Sequence, residues 1–117
     1  MRNDAIKIFS KDLEQDSKFY ENILGFKKTF VDVKKKSIGY HGRNCSLVLE
    51  DGSQFPEMVG RFIALSFYTD NLRDECKTLK NKGVVFHSFP EPTDDGYLLV
   101  HFNDYSGNTL TLVQEYD

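Results

Sequence analysis

Ala5-Ile6-Lys7-Ile8, with Asp12-Leu13 just beyond it, is matched 59 residues further on by Ala64-Leu65-Ser66-Phe67 with Asn71-Leu72. In the first copy Ile6 and Ile8 share one face and Lys7 takes the other, the period of a half-buried strand. Asp12 with Gln15 three residues later has the form of a helix N-terminal cap, and Gly25 supplies a left-handed stop. Between them Leu13, Tyr20 and Ile23-Leu24 recur on one side, which predicts a helix over 13–24.

Beyond Gly25 the helical period disappears. Phe26 to Val33, Ser37 to His41 and Cys45 to Leu49 read as three strands, separated by Lys34-Lys35-Lys36, a solvated hairpin tip, and by Gly42-Arg43-Asn44. Asp51 to Gly60, with Asp51-Gly52, Pro56 and Gly60, is the linker-like stretch. The second half then repeats the programme. A strand over Phe62 to Tyr68 leads into a helix capped at Asp70 or Asn71, with Leu72, Cys76 and Leu79 on one face and a stop at Gly83. Strands over Val84 to Phe89, Tyr97 to Phe102 and Thr109 to Gln114 follow. The turns between them carry Pro90, Pro92 and Asp94-Asp95-Gly96, then Asp104-Tyr105-Ser106-Gly107-Asn108.

The expected fold class is therefore α+β: two βαβββ modules in tandem (5–50 and 61–115, linker 51–60) within one domain. Each module packs one face of a mixed sheet on its helix, and the other face curves around a central cleft, leaving the helices outside. At 117 residues, 39% of them hydrophobic, the chain can bury a core without metal or disulfide staples. Cys45 and Cys76 are too few and too far apart for a disulfide framework and are expected as reduced thiols. Fifteen Lys plus Arg against eighteen Asp plus Glu is the wrong balance for a partner rich in phosphate, so no nucleic acid is expected. No apolar run is long enough for a membrane span or a signal peptide, which points to a cytoplasmic protein.

Three motifs carry a family resemblance: Asp12-Leu13, Phe19-Tyr20-x-x-Ile23-Leu24-Gly25-Phe26, and Phe102-x-Asp104-x-x-Gly107-Asn108-x-Leu110-x-Leu112. In this order they resemble the vicinal oxygen chelate superfamily, which includes glyoxalase I, extradiol dioxygenases and bleomycin-resistance proteins. Tyr105 departs from the family's usual Pro at that turn. The resemblance implies a divalent metal held by His or Glu on the first and last strands of each module. Carried across, the two first-strand positions fall on Ala5 and Ala64, and the closing positions on Thr111 and near Val48. None is an ordinary ligand for a site that needs several N or O donors at about 2.0 to 2.2 Å. No metal, cofactor or catalytic residue is therefore expected, and no nucleophile motif or phosphate loop appears.

Strand parity with Ile6, Ile8, Leu65, Phe67, Leu110 and Leu112 directed at the helices leaves Lys7, Phe9, Ser66, Tyr68, His101, Thr109 and Thr111 for the cleft, with Phe62 on the face of Ser66. This set suits an aromatic or partly anionic organic ligand. His41, His87 and His101 are left as local hydrogen-bonders, cleft donors, or members of an unorthodox metal site. The expected function is a metal-free small-molecule-binding protein. The alternative is a divalent-metal-dependent lyase or dioxygenase with non-standard ligands. The resemblance also implies a homodimer, in which sheet edges are covered across a twofold axis.

Overall fold

The computed structural model describes residues 5–61 and 63–115. They form two compact units. One comprises the described part of Met1–Ile63 together with Tyr105–Asn108, and the other Ala64–Asp104 with the described part of Thr109–Asp117. Among the described residues no helix is long and apolar enough to cross a membrane.

The first unit runs β1 (Ile6–Ser10), α1 (Leu13–Lys18), β2 (Lys27–Asp32), β3 (Ser37–Gly42) and β4 (Cys45–Asp51). Its sheet has the order β1-β4-β3-β2, with β1 parallel to β4 and the other pairs antiparallel. Asp12 caps α1 by accepting the Gln15 N–H at 3.1 Å, as its spacing predicts. The helix expected over 13–24 is α-helical only to Lys18; Phe19–Ile23 is a π-helical turn, in which the Leu24 N–H reaches back to the Phe19 carbonyl. Gly25, at φ +78°, turns the chain so that the Phe26 N–H reaches the Tyr20 carbonyl at 2.9 Å. Asp16, Tyr20 and Leu24, spaced by four, are all buried, and the Tyr20 ring meets Phe26 edge-on and stacks on Tyr40. Ile8, Leu47 and Leu49 complete this core, whereas Ile6 at the strand's open end stays exposed.

The second unit repeats the order as β5 (Ala64–Tyr68), α2 (Leu72–Asn81), β6 (Glu91–Pro92), β7 (Tyr97–Asn103) and β8 (Thr109–Glu115), with sheet order β5-β8-β7-β6. Asn71 is the cap of α2, accepting the Asp74 N–H at 3.2 Å, and Gly83 at φ +99° follows its C-terminus. Leu72, Leu79, Val100, Phe102, Leu110 and Leu112 are buried in this unit. Truncating a ring as enclosed as Phe102 to Ala costs about 3 to 5 kcal/mol.

The strand expected over Val84 to Phe89 does not form. Phe86 makes an isolated bridge to Phe102, the His87 N–H reaches the His101 carbonyl at 2.9 Å, and pairing resumes only at Glu91–Pro92. Pro90 and Pro92 have no N–H to give a ladder, and an edge position is where a sheet tolerates such an interruption.

The turn Tyr105–Asn108 belongs to the first unit although its flanking strands build the second. The Lys11 N–H donates to Ser106 Oγ at 2.9 Å, and the Lys11 ammonium sits 4.8 Å from the centre of the Tyr105 ring. Tyr105, which stands where the resembling family has Pro, thus supplies a cation–π contact.

Candidate functional site

In the first unit the ladder sets Lys7 of β1 opposite Val48 of β4, and Val48 opposite Gly39 of β3. Two residues further along the ladder Phe9 stands against Glu50. These residues lie on the face away from the buried Ile8 and Leu49, as strand parity predicts. Lys7 Nζ is 3.4 Å from Glu50 Oε1, so its charge is partly matched within the sheet. The Phe9 ring meets Phe55 with centroids 5.3 Å apart.

Two contributors to this face, Phe30 and Ser46, escaped sequence reasoning, and His41, whose facing strand parity left open, joins them. Phe30 lies over Gly39: a Cβ on Gly39 would sit 2.1 Å from the Phe30 ring, so only glycine lets the ring rest there. The ladder shifts between Lys28 and Phe30, and an irregularity of that kind resets the alternation that parity relies on. His41 and Ser46 face one another in register, with Nδ1 and Oγ 3.1 Å apart. The neighbouring glycines and the short β3–β4 turn are the local signals that could have prompted a search there.

Two of the cavities on this unit draw on residues of this face. One of about 680 Å³ is lined by Ala5, Thr29, Phe30, His41, Ser46 and Val48 among others. Another of about 460 Å³ has Lys7, Lys34, Lys35, Lys36, Glu50 and Phe55 in its wall. Both volumes are in the range that holds a small organic molecule.

In the second unit Ser66, Thr111 and His101 stand side by side on three adjacent strands. His101 Nδ1 and Thr111 Oγ1 are 2.8 Å apart, so the buried Thr111 hydroxyl is engaged with the imidazole. Thr109 and Tyr68 share their face, and the Tyr68 side chain is 63% exposed. His87 Nε2 meets Asn103 Oδ1 at 2.5 Å, and the His87 and His101 rings are 6.4 Å apart. The structure thus groups Lys7 with Phe9 in one unit, and Ser66, Tyr68, His101, Thr109 and Thr111 in the other. Phe62 lies outside the described residues.

The same registers test a metal. Lys7 opposite Val48 and Ser66 opposite Thr111 make Val48 and Thr111 equivalent positions in the two modules, each next to a first strand, β1, which Ala5 precedes, or β5, which Ala64 opens. Methyl and isopropyl groups donate nothing, and the Thr111 hydroxyl is held by His101. Among the described residues no three His, Cys, Asp or Glu side chains gather into a cluster that could hold an ion. The residues at these positions do not fit the family's metal. Burial pushes the thiols of Cys45 and Cys76 up from their ordinary value, which keeps both as neutral, weakly nucleophilic groups.

The sequence model of the Glyoxalase/Bleomycin resistance protein/Dioxygenase superfamily matches residues 2–112. Among solved structures the chain is similar to TnmS3, an antibiotic binding protein from Streptomyces sp. CB03234. Identity is 27% over 98% of this chain and 96% of that one, with a TM-score of 0.81. It is equally similar to a member of the same superfamily from Sphaerobacter thermophilus DSM 20745, at 27% identity over 98% of each chain with a TM-score of 0.80. Lactoylglutathione lyase from Agrobacterium tumefaciens shares the fold at 14% identity, over 97% of this chain and 92% of that one, with a TM-score of 0.74. No curated protein matches the chain.

Proposed function

Since the chain belongs to the Glyoxalase/Bleomycin resistance protein/Dioxygenase superfamily, we propose that it binds an aromatic or partly anionic organic molecule without a divalent metal. The observation that carries this reading is the pair of equivalent registers: at both closing positions, Val48 and Thr111, and at both opening ones, Ala5 and Ala64, the side chains present are not ligands. The likeness to an antibiotic binding protein supports binding of a small organic molecule. In the first unit Phe30 and Phe9 offer aromatic surface, Lys7 a cation and His41 a polar group; in the second, Ser66, Tyr68, His101, Thr109 and Thr111 offer polar groups of their own.

The test is a thermal-shift panel of planar aromatic compounds, charged and neutral, run with and without EDTA. A ligand at 100 times its dissociation constant stabilises the folded state by about 2.7 kcal/mol, a shift of several degrees for a chain of this size. The expected result is a shift that EDTA leaves unchanged. A panel without shifts, or shifts abolished by EDTA and restored by Zn, Mn, Ni or Fe, overturns the reading. We further propose a twofold homodimer, supported by the exposed Phe30 and Val31 on the edge strand β2, which offer an unpaired ladder to a second copy.

A further inference from the structure

The broken edge of the second sheet leaves a further cavity, on the helix side and independent of the site proposed above. It measures about 680 Å³, and its wall runs from α2 to the irregular segment 84–90. Val84, Val85, Phe86, Phe89, Pro90 and Val100 contribute apolar surface. Val85 and Phe89 are 82% and 86% exposed, although a β-branched and an aromatic residue would ordinarily be covered. The polar rim has one sign. Arg73, Lys77 and Lys80 line the cavity from successive turns of α2, and among the described residues no Asp or Glu lines it.

We propose that this cavity binds a free anionic amphiphile: an acyl or aryl chain in the apolar trough, its single carboxylate or sulfonate against the Arg73, Lys77 and Lys80 row. Charge complementarity selects this occupant. A neutral apolar molecule would leave three cations without a counter-charge at the mouth. A second copy seated twofold on the same groove would bring two such rows into one interface, where like charges oppose contact. A single acidic head answers the row, and the trough accepts the chain by removing exposed Val85 and Phe89 from water.

The experiment titrates the full chain with decanoate, decanol and decyltrimethylammonium below their micellar concentrations. Calorimetry gives affinity, and amide shifts in a ¹⁵N spectrum give location. Decanoate is expected to bind at least tenfold more tightly than the other two, with the largest shifts at residues 76–90. The surface variant Lys77→Glu/Lys80→Glu should lose at least tenfold of that affinity. A second variant, Phe89→Asp, changes an exposed side chain and should do the same. Lys7→Ala, on the other site, should leave decanoate binding unchanged while weakening aromatic acids, which separates failure here from failure of the proposed function. Equal affinity for decanol, shifts centred on β1 and β4, or an unaffected double variant overturns the proposal. So does co-sedimentation with phosphatidylglycerol vesicles in the absence of decanoate binding, which would assign the rim to a membrane surface.

Discussion

Ser106 Oγ donates a hydrogen bond to Asp16 Oδ2, joining residues 90 apart inside the buried part of the first unit. Ser10 Oγ donates to the same oxygen at 2.5 Å, so a carboxylate on α1 gathers the end of β1 and the Tyr105–Asn108 turn. Ser106→Ala removes one donor from a buried carboxylate and the acceptor of the Lys11 N–H. The expected loss is about 1 to 3 kcal/mol, read as a lowered urea midpoint with an unchanged slope. A midpoint equal to the parent's would show that the turn is not held by this bond.

Gly60 and Gly25 both adopt left-handed φ, +71° and +78°, but in different surroundings. A Cβ on Gly60 would lie 2.3 Å from the Ser106 carbonyl oxygen, whereas one on Gly25 would meet nothing within 4 Å. Gly25→Ala should therefore cost only the backbone penalty, about 1 to 2 kcal/mol. Gly60→Ala adds a clash with backbone and should cost measurably more. Parallel chemical denaturation of the two variants gives the comparison; equal losses would contradict it.

The Tyr40 hydroxyl donates to Glu21 Oε2 at 2.6 Å, and Lys28 Nζ stands 3.6 Å from the same oxygen. Burial first, then the hydrogen bond and charge of Glu21, push the Tyr40 phenol above its ordinary value. Its pKa is raised in the folded state, so the unfolded chain releases the proton first. The stabilising contribution is complete below about pH 10 and is lost as pH rises beyond it. Urea midpoints between pH 8 and 11 should fall more steeply for the parent than for Tyr40→Phe. Parallel slopes would mean that this phenol does not couple to folding.

Phe30 rests on Gly39, so the two residues can be tested as one device. Phe30→Ala removes the aromatic surface and Gly39→Ala displaces the ring; both should weaken a planar aromatic ligand by about tenfold, roughly 1.4 kcal/mol. Calorimetry on a compound found by thermal shift is the measurement. Affinity retained in both variants would remove Phe30 from the site.

A homodimer has twice the chain mass of 13.5 kDa. Light scattering coupled to size exclusion at micromolar protein should read that doubled value, and Val31→Lys on the exposed edge of β2 should lower it. A monomeric mass for the parent would end the dimer proposal.

What could be read in the chain was whatever neighbouring residues settle among themselves. Asp12 and Asn71 cap their helices through N–H groups three residues away, and Gly25 and Gly83 end them by a backbone angle that needs no partner. The 59-residue repeat made Ser66 the counterpart of Lys7, and alternation placed Lys7, Phe9, Ser66 and His101 on the face opposite the core. Other features depend on groups far apart in sequence. The interrupted ladder over Val84–Phe89 follows from which edge is left to Pro90 and Pro92. The Phe30 ring meets Gly39 only after a shift in register. Ser106 finds Asp16 because the turn carrying it belongs to the first unit, although the strands on either side of it build the second. Alternation and capping are periodic and local, so they survive in a one-dimensional reading. A register shift, a shared carboxylate and a cavity each arise from the simultaneous placement of distant side chains, and no short window of sequence contains that information.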